Sequence, residues 1–310
     1  MKSEFEFIQN IKKKYSLNLI GDDCAVLPKD DKTDMVITAD MLVEDIDFRL
    51  EWTTPEFLGQ KALAVSLSDI AAMGAEPKWA MLSIAVPEDS WNGDFVDRFY
   101  IGWHKLAREF EVELVGGDIS RAPDKLVIDS IVTGEVAKGR AILRSGARAG
   151  DALFVSGCLG GAAAGLRILE RGIVERTNLL VERQLRPFPR LSLSKDLNMN
   201  SIVSSMIDIS DGLSSDLMHI CIASQVGARI DLLPIDEELG QYFSSDESFQ
   251  FALNGGEDFE LLFTSRPEKI SALENLPAVC IGEITPNVGI IELIHNGKTE
   301  ILQPKGYRHF

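Results

Sequence analysis

Residues 54–74 read TPEFLGQKALAVSLSDIAAMG, and this stretch carries the strongest local signal in the chain. Thr54 followed by Pro55 is typical of a helix start, because a hydroxyl can cap the first backbone N–H groups and proline fits the first helical turn. Gly74 is suited to end the helix, since glycine adopts the left-handed conformation without strain. The stretch therefore predicts one long helix that runs to about residue 73.

One face of this helix leads to a carboxylate, Asp69. Three apolar residues share that face because they lie three or four positions apart: Leu58, Ala62 and Val65. A carboxylate on an apolar stripe is costly unless it is paired or bound to a metal ion. Two interpretations stay open: Asp69 binds a cation, or it lies at the edge of the stripe and reaches water.

Working outward from Asp69, aspartates recur in short motifs that follow or interrupt apolar runs. These motifs are Gly21-Asp22-Asp23, Thr38-Ala39-Asp40, Ser68-Asp69, Gly116-Gly117-Asp118 and Asp208-Ile209-Ser210-Asp211-Gly212. Carboxylates brought together at strand ends repel one another unless a cation lies among them. Mg²⁺ prefers oxygen ligands and commonly shares them with substrate phosphates. The motifs therefore predict a site for a magnesium-bound phosphate compound.

Taken singly, each motif also has a structural explanation. Gly-Gly-Asp lets the backbone approach a phosphate, but it is also a good turn. Asp208 or Asp211 can be a turn or capping residue, and the following helix can be capped by Asp216 or by the hydroxyls of two neighbouring serines, Ser214 and Ser215. Arg144 can clamp a phosphate through its planar guanidinium, or it can be a surface residue.

Two further segments leave the same choice open. The glycine-rich turn at 157–165 can present N–H groups to an anion or allow close packing of a helix on a strand. It lacks the G-x-x-x-x-G-K-[ST] pattern and is therefore not a P-loop. Glu257-Asp258 can hold a polar ligand group or a metal, or form a plain junction between a loop and a strand. No histidine has ligand spacing, and none is assigned to metal.

Composition limits the class of protein. The chain has 310 residues, 45% of them hydrophobic and 25% charged, which is ordinary for a globular enzyme with two domains. A formal charge of −17 argues against nucleic acid as a partner. The four cysteines have no paired spacing, the first residues do not resemble a signal peptide, and no apolar run is long enough to cross a bilayer. We expect a cytoplasmic protein without a membrane partner.

Strand and helix signals alternate along the chain, which indicates a mixed α/β or α+β class. Strands are expected at 21–27, 35–38, 79–86, 113–115, 125–136, 152–156, 205–208, 228–233 and 259–264, and helices at 3–15, 54–73, 95–110, 176–185, after 161 and after 212. The pattern restarts near Gly139. We therefore expect two domains, at 1–140 and 141–310.

The joint order of the motifs is more specific than any one of them. The sequence resembles the thiamine-monophosphate kinase family, in the superfamily that includes aminoimidazole ribonucleotide synthetase, almost from end to end. The blocks in the family's order are GDDCAVL at 21–27, TADMLVEDIDF at 38–48, KALAVSLSDIAAMGAEP at 61–77, GGDISR at 116–121, LRSGARAGD at 143–151, DISDGL at 208–213, GGEDFELLF at 255–263 and GYRHF at 306–310.

This resemblance implies an aminoimidazole ribonucleotide synthetase-like fold. The N-terminal domain would bind ATP and magnesium and pair with its copy in a homodimer, forming a shared β-barrel. The C-terminal domain would be an α/β unit, and ATP with several Mg²⁺ ions would occupy the cleft between domains.

The resemblance also implies roles for individual residues. Metal positions are Asp23, Thr38, Ala39, Asp40, Asp69, Asp118, Asp208 and Asp211, although Ala39 replaces a frequent hydroxyl residue and could contribute only its backbone. Nucleotide positions are Gly117, Asp118, Arg144 and Ser210. Substrate positions are Glu257, Tyr307 and Asp47, where many relatives carry histidine. The catalytic set drawn from these is Asp40, Asp69, Asp118, Asp208, Asp211 and Arg144.

The activity that the resemblance implies is ATP-dependent phosphorylation of thiamine monophosphate to thiamine diphosphate, by direct in-line transfer. One alternative is another ATP-dependent enzyme of the superfamily, such as an aminoimidazole ribonucleotide synthetase, which forms a C–N bond. The GGEDFELLF and GYRHF blocks favour the kinase. A second alternative is a magnesium- and nucleotide-binding protein without turnover, supported only by Ala39 and Asp47.

Overall fold

The computed structural model describes residues 4–307 and arranges them as two mixed β-sheets with helices between and around them. The helices are α1 Glu4–Tyr15, α2 Pro55–Ala72, α3 Glu88–Trp91, α4 Phe95–Glu109, α5 Gly161–Glu170, α6 Leu179–Leu185, α7 Leu191–Met199, α8 Leu213–Ser224 and α9 Ser245–Asn254. The strands are β1 Ala25–Pro28, β2 Thr33–Val43, β3 Glu76–Val86, β4 Glu113–Arg121, β5 Val127–Ala137, β6 Ala152–Val155, β7 Val203–Asp208, β8 Gly227–Ile230, β9 Leu261–Ser265, β10 Val279–Thr285, β11 Ile291–His295 and β12 Lys298–Ile301.

The first sheet has the order β1-β2-β5-β3-β4 and is antiparallel except for the parallel pair β3 and β4. Side chains alternate between its two faces. Thr38 and Asp40 of β2 share the face that α2 covers, and Thr38 contacts α2 directly. Met41 and Met81 lie on the opposite face and are exposed. At β2, the helix-covered face thus carries Thr38 and Asp40, whereas the outward face exposes methionine side chains.

The second sheet has the order β12-β11-β8-β10-β6-β9-β7, with one parallel pair, β8 and β11. Its core contains side chains from β6, β7, β9 and α8, including Leu153, Ile207, Leu262 and Leu217. Two short 3₁₀ helices, Glu237–Gln241 and Pro267–Leu273, complete this part of the chain. The mixed α/β class and the two-domain organisation expected from the sequence are confirmed, while the boundary between residues 140 and 141 stays a prediction.

Helix α2 connects the two halves. It begins as expected, with the Thr54 hydroxyl accepting the Phe57 N–H at 3.2 Å, and Gly74 follows it with φ +66°. Ser194 of α7 donates to the carbonyl of Ala71, and one apolar core contains side chains of α2, the first sheet and the second half of the chain. Because α2 is buried along nearly its whole length, it can bring groups from both halves to one place.

Helices α2 and α4 cross with almost no space between their backbones. A Cβ atom on Gly102 would lie 1.8 Å from the carbonyl oxygen of Glu56, and one on Gly59 would lie 2.0 Å from that of Phe99. Only glycine permits this approach at either position.

The structure corrects several boundaries. The strand expected at 113–115 continues through Gly-Gly-Asp to Arg121, so Asp118 lies within β4 and not at a strand end. The glycines remain in the ladder because a Cβ on Gly117 would meet the Leu82 carbonyl oxygen at 1.9 Å. Helices α3, α7 and α9 and strands β10 to β12 were not expected from the sequence. Ser3 of the expected first helix and the last three residues of the GYRHF block lie outside the described part of the chain. Among residues 4–307, no helix is long and apolar enough to span a bilayer.

Candidate active site

Three aspartates from distant parts of the sequence meet between the two sheets. Asp23 precedes β1, Asp69 belongs to the last turns of α2, and Asp208 ends β7. One carboxylate oxygen from each lies within 4.8 Å of those of the other two. The cluster therefore draws ligands from both halves of the chain, and of the two interpretations of Asp69 the structure favours the cation-binding one.

Hydroxyl groups hold these carboxylates in place. The Thr38 hydroxyl donates to Asp69, and the Ser68 hydroxyl donates to Asp208 at 2.6 Å. Asp40, two residues after Thr38 on the same face of β2, is close enough to influence the titration of Asp69. Thr38 and Asp40 thus join the cluster at the positions that the resemblance implies.

The cluster is electrostatically strained without a cation. Burial, with a contribution from the negative charge of Asp23, raises the pKa of Asp40 to about 6 and that of Asp208 to about 8. Burial also raises the pKa of Asp69 well above its usual range, with the other carboxylates adding to the effect. Each carboxylate therefore resists ionisation, and a bound divalent cation would relieve both causes.

Arg144 is the cation that reaches this cluster from within the chain. Its guanidinium lies 2.7 Å from Asp23, and its backbone N–H donates to Asp22 at 2.8 Å. The Ser224 hydroxyl in turn donates to the Arg144 carbonyl. Arg144 is thus a fixed, partly buried residue at the junction of the two halves, and the surface alternative does not hold.

The donor atoms fit a hard divalent cation such as Mg²⁺. They are carboxylate and hydroxyl oxygens, which hard cations prefer. Within the described residues, Oδ2 of Asp23, Oδ2 of Asp40 and Nε of Arg144 are buried and make no hydrogen bond. Buried polar atoms are nearly always paired. These three atoms therefore indicate where metal, water or phosphate oxygen would complete the site.

A cleft of about 430 Å³ lies next to the cluster and is lined at that end by Asp40. Its walls include apolar side chains such as Phe48, Trp52 and Leu58. The predicted site residues along it are Asp40, Asp47, Ser210, Asp211, Glu257 and Tyr307. The structure thus places residues assigned to metal, nucleotide and substrate around one cavity.

Two wall residues were missed by the sequence analysis. Lys61 of α2 and Gln184 of α6 both contact Glu257. A lysine within the mostly apolar run 57–65 was the available signal for Lys61. Cys24 was also missed; burial, and then the charges of Asp69, Asp23 and Asp40, raise the pKa of its thiol.

Asp118 is not brought to the cluster within one chain. The strand register aligns four residues in one row across the sheet, from β4 through β3 and β5 to β2. In that order they are Asp118, Ser83, Asp129 and Met41. This row lies on the outward face, whereas Asp40 is on the other face, and three strand spacings correspond to roughly 14 Å. Ala39 also lies on the outward face. The metal and nucleotide roles of Asp118 and Gly117 therefore stay predictions.

The glycine-rich turn binds an anion that belongs to the chain itself. The Asp258 carboxylate accepts the N–H groups of Gly160 at 2.6 Å and Ala162 at 3.1 Å, at the start of α5. Burial raises the pKa of Asp258 to about 7. The anion hypothesis for this turn is thus met by an internal carboxylate, and no external phosphate is needed there.

Asp211 lies in a second group of potential ligands. Its carboxylate is within 4.8 Å of ligand atoms of Asp216 and His219. Asp216 lies within α8 and accepts the N–H groups of Asp211 and Gly212 in the turn before it. Within residues 4–307, no side chain caps the first turn of α8, so the capping role that the sequence allowed is not observed. Burial lowers the pKa of His219 to about 4, which keeps its imidazole neutral near pH 7. His219 was not assigned to a metal from the sequence; the structure brings it close to Asp211.

Residues 21–136 match the family model "AIR synthase related protein, N-terminal domain", and residues 148–293 match "AIR synthase related protein, C-terminal domain". The chain is 39% identical over 305 residues to the thiamine-monophosphate kinase of Escherichia coli strain K12, covering 94% of this chain and 91% of that protein.

Solved structures show the same architecture. A structure of AaThiL complexed with AMPPCP and TMP is 36% identical, with a TM-score of 0.88 and coverage of 99% of this chain and 97% of that one. The thiamine monophosphate kinase of Aquifex aeolicus is 34% identical, with a TM-score of 0.82 and coverage of 95% and 97%.

Proposed function

The chain belongs to the thiamine-monophosphate kinase family of AIR synthase-related proteins, and from this premise we infer that it transfers the γ-phosphoryl group of ATP to thiamine monophosphate. The products are thiamine diphosphate and ADP. One observation supports the assignment to this site: Asp40, which lies beside the buried acidic cluster, and Asp211 line the same cleft as Glu257 and Tyr307. A relative has been solved with AMPPCP, an ATP analogue, and TMP bound. The cytoplasmic location expected from the sequence stays a prediction.

We assign the polar groups as follows. The metal ligands are Asp23, Thr38, Asp40, Asp69, Asp208 and Asp211, with Ala39 through its backbone and Asp118 from the outward face. The nucleotide contacts are Arg144, Ser210, Gly117 and Asp118. The substrate contacts are Asp47, Glu257 and Tyr307.

Bound Mg²⁺ supplies charge neutralisation for the phosphates of both substrates. The chain itself contributes position. The cluster fixes one end of the cleft, the apolar walls keep water from the transferring group, and Arg144 offers a permanently charged donor beside the carboxylates. The acceptor is already a phosphate oxygen, so the transfer needs no dedicated general base. Direct in-line transfer is therefore the mechanism that this arrangement supports.

An assay of ADP release with and without thiamine monophosphate tests the function. We expect Mg²⁺-dependent ADP release that requires thiamine monophosphate and yields thiamine diphosphate. ADP release only with an acceptor that forms a C–N bond would favour the synthetase alternative. Nucleotide binding without turnover under any of these conditions would favour the non-catalytic alternative.

We propose that two copies pair through the outward face of the first sheet and form the shared β-barrel. Met41 is 61% exposed on that face, and Met81 and Trp79 are 40% and 36% exposed. Asp118 lies on this face too, so pairing would place it at the interface. The barrel would therefore connect the predicted role of Asp118 to the dimer.

Light scattering at micromolar concentration should give about twice the chain mass of 34.2 kDa. Met81→Lys should shift the protein toward the monomer, because a charge in an apolar interface is costly. Ile101→Lys, at a position 63% exposed on α4, is the control and should leave the mass unchanged. A wild-type protein that remains a monomer at this concentration contradicts the shared barrel.

Asp47 occupies a substrate position at which many relatives carry histidine, and a substitution there tests whether it contacts the substrate in this chain. Its carboxylate accepts the Val43 N–H at 2.8 Å and lines the cleft. Ionised Asp47 would repel a phosphate but attract the thiazolium cation or a bridging Mg²⁺. We expect Asp47→Ala to raise KM for thiamine monophosphate and to leave KM for ATP nearly unchanged. If neither constant changes in steady-state assays, Asp47 has no part in substrate binding.

A further inference from the structure

The wall of the cleft contains a buried cation that no role yet explains. The Lys61 side chain is 3% exposed, and its Nζ lies 2.7 Å from Oε1 of Glu257. Nζ also donates to the backbone carbonyl of Gln184 at 3.2 Å. Taking an ammonium group out of water is costly, and a buried ion pair can often be replaced by apolar residues without loss of stability. Fold stability alone therefore does not account for Lys61.

Glu257 is fixed from several directions at once. Lys61 engages one carboxylate oxygen, and the Gln184 side-chain amide donates to the other. The Glu257 backbone has φ +66°, a region that is strained for residues other than glycine, and its N–H donates to the Ser210 carbonyl at 2.8 Å. Such strain persists where surrounding contacts over-determine it. Both the backbone and the carboxylate of Glu257 are thus preorganised.

We propose that Lys61, together with Gln184, is a positioning residue that sets how Glu257 meets the substrate. This inference rests on the proposed function. Lys61 belongs to the first half of the chain and Glu257 to the second, so the contact also aligns the two walls of the cleft. It acts through Glu257 and need not touch the substrate.

The chemistry of the pair indicates what it recognises. With its charge balanced by the ammonium group, the Glu257 carboxylate acts mainly as a fixed hydrogen-bond acceptor, and each oxygen has a second lone pair available. The exocyclic amino group of the aminopyrimidine ring is a neutral donor of the matching kind. A site built around such a fixed acceptor strongly rejects an analogue without the donor. The pair therefore determines selectivity for the aminopyrimidine end of thiamine monophosphate.

The test compares wild type, Lys61→Met, Glu257→Gln and the double variant in steady-state assays. Substrates are thiamine monophosphate and oxythiamine monophosphate, in which the amino group is replaced by oxygen. We expect Lys61→Met to raise KM for thiamine monophosphate about tenfold or more, the scale of a lost hydrogen bond to a charged group. KM for ATP should stay nearly unchanged, and the preference over oxythiamine monophosphate should fall. In the Glu257→Gln background, Lys61→Met should add little.

Gln60→Met is the matched control, because Gln60 lies on the same helix but lines a different cavity. It should change neither KM nor the preference. Two results would overturn the inference: an unchanged KM and preference in Lys61→Met, or effects of Lys61→Met and Glu257→Gln that multiply. If Lys61→Met does not fold, Gln184→Met replaces it in the test. A raised KM for thiamine monophosphate in that variant supports the inference, and an unchanged KM contradicts it. Absence of wild-type turnover would instead contradict the proposed function.

Discussion

Asp208→Asn should reduce turnover of thiamine monophosphate roughly 100-fold or more, the scale on which removal of one preorganised electrostatic group acts. Asparagine keeps the shape and can still accept the Ser68 hydroxyl, but it removes the negative charge from the cluster. Asp40→Asn and Asp69→Asn should behave alike, because both carboxylates share the same buried region. The measurement is steady-state kinetics at saturating ATP and Mg²⁺.

The same change should stabilise the metal-free protein at alkaline pH. Burial raises the folded pKa of Asp208 to about 8 from 3.8, so between these values the folded state holds a proton that the unfolded state releases. The contribution of Asp208 to the stability of the folded state is therefore fully present below pH 3.8. It is lost progressively as the pH rises through about 8. In chelator, the wild-type melting temperature should fall between pH 5 and pH 8, and that of Asp208→Asn should fall less. Added Mg²⁺ should reverse the wild-type loss.

Asp31→Asn is the control for both readouts, because Asp31 is exposed in the turn between β1 and β2 and belongs to none of the motifs. It should leave turnover and the pH dependence of melting unchanged. Near-normal turnover in all three cluster variants would contradict the metal-cluster assignment. A wild-type melting temperature that does not fall with pH in chelator would contradict the electrostatic argument alone.

The second large effect concerns the fold. Gly102→Ala should lower the free energy of unfolding by about 3 kcal/mol or more, at the upper end of overpacking costs. The new Cβ would lie 1.8 Å from the Glu56 carbonyl oxygen and 2.5 Å from its carbon, and backbone atoms cannot rotate aside as a side chain can. Helices α2 and α4 would have to separate, and the buried Phe99 and Trp103 would lose packing.

Denaturant unfolding of the wild type and the variant measures this effect. Gly240→Ala is the matched control, because a Cβ there meets nothing within 4 Å. Its effect should stay within about 0.5 kcal/mol, as for most surface changes. Equal stabilities of the Gly102 and Gly240 variants would show that the two helices can move apart at little cost.

The sequence predicted those features of the fold that depend on residues close together in the chain. The limits of α2 followed from Thr54, Pro55 and Gly74, because capping and left-handed backbone depend on residues within a few positions. Its role as the bridge between two sheets did not follow, since periodicity describes a face but not its neighbour. The choice between two roles for Asp69 was open for the same reason: the contacts of this carboxylate with Asp23 and Asp208 are set by the tertiary fold.

The family resemblance predicted site residues that the spacing of motifs alone did not indicate. It pointed to Asp47, Glu257 and Tyr307, which share one cleft in the structure. It also grouped Asp118 with the cluster, although strand register places Asp118 on the other face of the sheet. Lys61 opens the block at 61–77, but nothing in that block indicates a partner for it. Its significance depends on Glu257, which is distant in the sequence and adjacent in the fold.

The carboxylate at the start of α5 has a physiological consequence. A helix N-terminus is a common source of attraction for phosphate, but Asp258 already occupies this one. Arg144, the cation next to the cluster, is engaged by Asp23. Both groups already face a carboxylate of the chain, so we expect divalent ions to supply much of the positive charge that a nucleotide needs. The rate of this step should therefore depend on the concentration of free magnesium as well as on that of ATP.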